Sequence, residues 1–155
     1  MIPQTRTWAC WYACAQMLIQ WKRERSKATL AQHPDPSEVP ALERLHAANP
    51  GLSYGQVLTL AQQLGLRIVP PMSVTVEIVK RLLQHHGPLW THGQTHVVVL
   101  TGADPPRDQV FVHDPAPLNV GRQEWRSYSG WFIHGNANDS RGTNPSVQAT
   151  FLFHP

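Results

Sequence analysis

The sequence predicts an α+β domain, in which helices from the N-terminal half pack on an antiparallel β-sheet built from the C-terminal half. Three observations predict it. Apolar residues recur at helical spacing in the segments before Gly87, and after Gly87 the pattern changes to β-branched runs separated by Gly and Pro. Helices come first and strands later, so the chain does not read as a repeated strand-helix-strand unit.

The elements follow in order. Residues 8–25 read as a helix, because Cys10, Cys14, Met17, Leu18 and Trp21 share a face, Thr7 can cap the start and cations gather at the end. His33 to Pro36 reads as a loop. Ser37 then caps a short helix that carries Leu42 and Leu45 and stops at Asn49-Pro50-Gly51. Ser53 and Gln56 form a capping box ahead of Val57, Leu60, Ala61 and Leu64, and Gly65 ends that helix. Leu66 to Val69 is a short strand closed by Pro70-Pro71. Thr75 to His86 is a helix with Val76, Val79 and Leu83 inward. Pro88–Thr91, Thr95–Thr101 and Gln109–Asp114 read as strands of a meander, residues 115–145 as mostly loop anchored by buried Trp125, Tyr128 and Trp131, and Val147–Phe153 as a last strand.

Composition bounds the function. With 155 residues, 41% hydrophobic and 15% charged, the chain fits one domain over 1–155, and six Trp supply bulk for its core. No run approaches the ~18 to 20 uncharged apolar residues of a membrane span. The formal charge of +3 is concentrated early, in Arg6, Lys22, Arg23, Arg25 and Lys27 against Glu24. These cations suit the solvated end of a helix, and no basic stripe interleaved with aromatics points to nucleic acid. The two cysteines lie four apart, too strained a pair for a bridge within one helix, so both are expected as thiols. The N-terminus shows no charged-then-apolar leader, so any export is expected to be directed from outside this chain.

The chemistry concentrates in few residues. A helix N-terminus favours a thiolate through the dipole and the free amides, and Cys10 has that placement whereas Cys14 lies a turn further in and reads as core. His96 lies in a β-branched run and alternates with Val98 and Leu100. Asp114 alternates likewise with Val110 and Val112. A hairpin centred on Pro105 would set Leu100 opposite Val110, Val98 opposite Val112 and His96 opposite Asp114. Nucleophile, base and orienting acid are the parts of covalent acyl transfer. For the oxyanion, the Cys10 amide and the Gln4 side chain are candidate donors. His85-His86, His92 and His113 lack metal-ligand spacing, and neither a metal nor another cofactor is expected.

Gln4, then Cys10-Trp11 at the start of a helix continuing to Ala13 and Met17, then His96 before Val97-Val98-Val99, then Asp114-Pro115, resembles the papain-like cysteine peptidase superfamily. It is most similar to the compact bacterial branches, the C39-type leader peptidases and the papain-fold effector proteases, over residues 2–135. The resemblance implies Cys10 as nucleophile, His96 as general base and acid, Asp114 as orienter and Gln4 as oxyanion-hole donor. The third member is Asp where papain has Asn, a triad that transglutaminases share.

What the resemblance implies is an endopeptidase acting on a protein substrate, with Trp11, Trp90 and Trp131 either walling its cleft or packing its core. Bacterial toxins and effectors end in such domains. By that likeness the chain is expected to be the C-terminal module of a larger delivered protein, to act in a reducing cytosol and to meet an immunity or inhibitor protein. A transglutaminase or glutamine deamidase would use the same residues. A non-catalytic binding module, with Arg6 and Lys22 to Lys27 as its contact surface, is the reading from a different class.

Overall fold

The computed structural model describes residues 1–26, 32–70, 72, 74–92, 96–133 and 150–155, of which Tyr54, 131–133 and Thr150 by backbone alone. Lys27, Thr95, the Val147 start of the last predicted strand and the Trp131 side chain lie outside the described residues.

Helices α1 (Cys10–Ser26), α2 (Pro40–Ala48), α3 (Tyr54–Gln63) and α4 (Val76–His86) accompany an antiparallel sheet of six strands among the described residues. The strands are β1 (Arg67–Ile68), β2 (Leu89–His92), β3 (Val97–Asp104), β4 (Gln109–Asp114), β5 (Arg122–Ser127) and β6 (Thr150–Phe153), in the order β1-β6-β2-β3-β4-β5. The α+β expectation holds, with the helices first and the meander β2 to β5 after them.

The sheet is covered on both faces. On one side Trp90, Val97, Val99 and Leu152 join the apolar face of α1, Val57, Leu60 and Ala61 of α3 and Leu64 just after it. On the other, Leu89, Val98, Leu100, Val110 and Val112 join Val76 and Val79 of α4 and Tyr128. Adjacent residues of β2 and β3 therefore point into different cores, which is why these strands read as continuous apolar runs. Cys14 is fully buried in the first core, and its Sγ donates to the Val97 carbonyl at 3.4 Å. That contact fastens the second turn of α1 to β3.

Helix ends follow local chemistry. Ser53 and Gln56 close the expected capping box, and the Thr75 hydroxyl accepts from Ile78 N at 3.4 Å to start α4. Gly87 ends α4 at φ +79, where a Cβ would fall 2.0 Å from Trp21 Cη2, so backbone and packing both demand glycine.

Four local expectations are corrected. Thr7 does not cap α1, which begins at Cys10; its carbonyl instead accepts from Gln4 Nε2 at 3.0 Å. Ser37 does not start α2, because Pro40 forces Val39 out of helical geometry (φ −104, ψ 103) and leaves Pro36–Glu38 as a separate turn capped by Asp35. Residues 122–127 form β5 rather than loop, and Trp125 is 49% exposed rather than a buried anchor. Tyr128 is buried as expected.

The fourth concerns the β3–β4 hairpin. Its tip is the turn Pro105–Arg107 followed by Asp108 at φ +51, so Asp104 pairs with Gln109, and a bulge between Leu100 and Gly102 then sets Leu100 opposite Val112. This is two residues away from the expected Leu100–Val110 pairing. On the inner side of the bulge the shift is even, so Val98, Leu100 and Val112 keep to one face and the apolar pattern survives while the partners change.

Candidate active site

Cys10 is the first residue of α1. Ala9 N donates to Arg6 O at 3.2 Å, and Ala9 O accepts from Ala13 N at 3.1 Å, so the chain turns sharply into the helix. The Cys10 amide is among the first four of the helix, which have no acceptor a turn earlier. Its side chain is 8% exposed. Behind it, Trp90 Nε1 donates to the Trp11 carbonyl at 3.1 Å from the floor of the core.

His96 stands one residue ahead of β3 rather than within it, and Asp114 is the last residue of β4. Their side chains meet: His96 Nε2 lies 2.7 Å from Asp114 Oδ1. A carboxylate can only accept here, so Nε2 carries the hydrogen. Cys10 lies near enough to the imidazole to act on its protonation. The structure thus brings Cys10, His96 and Asp114 together, with the His96–Asp114 pair in direct contact.

Burial works against the imidazolium, but the hydrogen bonds it donates towards Asp114 and Cys10 and the negative charge of those partners outweigh it and push the His96 pKa up to about 9. Asp114 is fully buried, which opposes its ionisation. The His96 hydrogen bond and charge, with the Ala116 amide at 2.9 Å and Arg126, prevail and hold its carboxyl well below the usual range. For Cys14, burial pushes the thiol up, so it stays neutral.

Gln4 is buried, and its backbone is held by the turn after Asp114: Gln4 N donates to Pro115 O at 3.0 Å and Asn119 N to Gln4 O at 2.9 Å. Its Nε2 donates to Arg6 O and Thr7 O, both at 3.0 Å, while Oε1 is buried without a partner. Both Gln4 amide hydrogens are therefore engaged on backbone carbonyls of the segment that leads into α1.

A cavity of about 190 Å³ opens beside Cys10, lined by Trp8, Trp11, Gly51, Leu52, His92 and Val97. One wall is the segment after α2, held by Asn49 Oδ1 on Trp8 N at 3.2 Å and by Pro50 O on Trp11 Nε1 at 3.3 Å. Of the tryptophans expected at a cleft, Trp11 lines this cavity while being 1% exposed. Trp90 is fully buried and supports α1 from behind. Trp8, at 53% exposure, forms the mouth and was not anticipated; a lone Trp before a helix carries no signal of which way it points.

Sequence reasoning also missed Arg126. Its Nη2 lies 2.8 Å from Asp114 Oδ2 and 2.5 Å from Glu124 Oε1, from a strand whose polar sequence hides its periodicity. The early basic residues, by contrast, are engaged separately. Arg6 donates to Ala47 O, Lys22 to Pro155 O, and Arg23 to Glu38, while Arg25 lies over the Trp21 ring. Among the described residues no group of His, Cys, Asp and Glu could hold a metal, and no helix is long and apolar enough to cross a membrane.

Two comparisons bear on this arrangement. The family described as "Papain-like cysteine protease AvrRpt2" matches residues 2–130, a span that includes Gln4, Cys10, His96, Asp114 and Arg126. No curated protein matches the chain.

Proposed function

We propose, from the premise that the chain belongs to this papain-like cysteine peptidase effector family and is a cysteine peptidase, that it cleaves a protein substrate through a Cys10 acyl-enzyme. The observation that carries the reading is the His96–Asp114 contact at 2.7 Å, with Cys10 at the start of α1 beside the imidazole.

In the proposed reaction Cys10 Sγ, its proton held by His96, attacks the scissile carbonyl carbon, and the carbonyl π electrons move to oxygen. The Cys10 amide and Gln4 Nε2 donate to that oxyanion, and the oxyanion takes over one of the Gln4 hydrogens now on Arg6 O or Thr7 O. The C–N bond then breaks as the His96 proton passes to the leaving amine. Water enters, gives a proton to His96 and attacks the thioester, which releases the acid and restores the thiol. Asp114 keeps the ring in one tautomer throughout.

The cavity beside Trp8 and Leu52 is where the substrate chain would lie. We read residues 1–155 as a single module that acts as a toxin or effector at the C-terminal end of a larger delivered protein. A reducing cytosol suits its two free cysteines, and an immunity protein that covers the Trp8 mouth would block it. A competition for iodoacetamide at pH 6 tests the site: Cys10 should label fast and Cys14 stay inert in the folded protein. Equal, slow labelling of both would overturn the reading.

A further inference from the structure

We infer that Arg126 is a positioning residue of this site: held by Glu124, it fixes the second carboxylate oxygen of Asp114 and so orients and electrically balances the carboxylate that meets His96. The inference rests on the reading of Cys10, His96 and Asp114 given above.

The geometry is specific. Asp114 has two oxygens, and each has its own work. Oδ1 accepts from His96 Nε2 at 2.7 Å and from Ala116 N at 2.9 Å, while Oδ2 accepts from Arg126 Nη2 at 2.8 Å. With both oxygens held, the carboxylate cannot rotate away from the imidazole. Arg126 is itself gripped, since Glu124 Oε1 takes its Nε at 2.7 Å and its Nη2 at 2.5 Å. Its side chain is only 9% exposed and Asp114 is fully buried, so little solvent screens the pair.

Charge gives the second argument. A buried bare carboxylate beside His96 would hold the imidazolium too firmly to release its proton. Paired with a guanidinium it presents little net charge and acts chiefly as an oriented acceptor. The signs alternate along the line Glu124, Arg126, Asp114, His96, Cys10. Of the neighbouring groups, Cys14 on α1 is kept neutral by burial, and Arg122, opposite Asp114 across the β4–β5 ladder, is exposed. His113, the neighbour of Asp114 on β4, is pushed down by burial and by the Met1 ammonium group.

The test needs no substrate. In the full chain carrying Cys14→Ser, the rate of iodoacetamide alkylation of Cys10 is followed against pH. It should show two inflections, one where the thiolate–imidazolium pair forms and one where the imidazolium loses its proton. Removing a cation makes every nearby proton harder to lose, so Arg126→Gln should slide both inflections up by about one pH unit. Arg126→Lys, which keeps the charge, should leave them near the wild-type positions. Glu124→Gln removes an anion from a 42% exposed side chain, which folding tolerates, and should slide them the other way.

Inflections that stay in place in Glu124→Gln and in folded Arg126→Gln would reduce Arg126 to a structural ion pair and overturn the inference. A His96→Gln control separates the two levels. If the upper inflection survives there, the reading of the site fails and the role of Arg126 falls with it. If it vanishes there but never moves with Arg126 or Glu124, only the inference fails.

Discussion

His96 and Asp114 meet at 2.7 Å from the ends of two neighbouring strands, one residue ahead of β3 and at the last residue of β4. Strand ends at a sheet's rim can carry polar groups towards a helix N-terminus. That placement sets the imidazole between the buried carboxylate and the start of α1, where Cys10 stands.

Substitution at these positions should separate catalysis from folding. Cys10→Ala and His96→Ala are expected to abolish turnover and Cys10 labelling while thermal denaturation still shows a cooperative transition. Asp114→Asn should keep the fold and leave a residual rate, reduced on the order of 10² to 10⁴-fold. Asp114→Ala should also destabilise, because it strips Arg126 of a partner in a shielded site.

The pH dependence of stability follows from the two shifts. His96 is raised from about 6.5 unfolded to about 9 folded, so its contribution is fully present below about pH 6.5 and is lost as pH rises through 9. Asp114 is depressed, so its contribution is present above about pH 4 and is lost as pH falls below that. Wild-type Tm should therefore be highest between about pH 4 and 6.5. It should fall more steeply towards pH 9 than in His96→Gln.

Trp90 links the core to the site. Trp90→Phe removes the hydrogen bond from Nε1 to the Trp11 carbonyl and should cost about 1 kcal/mol, read as a lower denaturation midpoint. Labelling of Cys10 should slow with it, because Trp11 follows Cys10 directly in the chain.

Gly87→Ala is the opposite case. It forces an alanine to φ +79 and sets its Cβ 2.0 Å from Trp21, so a loss of at least about 1 to 3 kcal/mol is expected. Trp21 lies eleven residues along α1 from Cys10, roughly 16 Å, so labelling should be unchanged wherever the variant is folded.

The parts that were legible in sequence are those whose chemistry is local. Ser53 with Gln56, Thr75 and Gly87 announce helix ends by residue type alone, and α3 and α4 begin and end where they say. The β-branched run after His96 marks β3 whatever its partner. The β3–β4 register was not legible, because alternation cannot distinguish pairings two residues apart and a bulge leaves no mark in composition. β5 was hidden because Arg122–Ser127 has one face open to solvent and fills its other face with Glu124 and Arg126, so no apolar alternation remains. At the site, Cys10 and His96 stood out by residue type and neighbours. Arg126 could be found only once β5 was laid beside Asp114.

The most direct measurement is intact-protein mass spectrometry after a pulse of an epoxide of the E-64 type, comparing wild type with Cys10→Ser and Cys14→Ser. A single adduct that survives Cys14→Ser and vanishes with Cys10→Ser is the expected result. An adduct that persists in Cys10→Ser, or none in a wild-type protein shown to be folded, would contradict an activated nucleophile at Cys10.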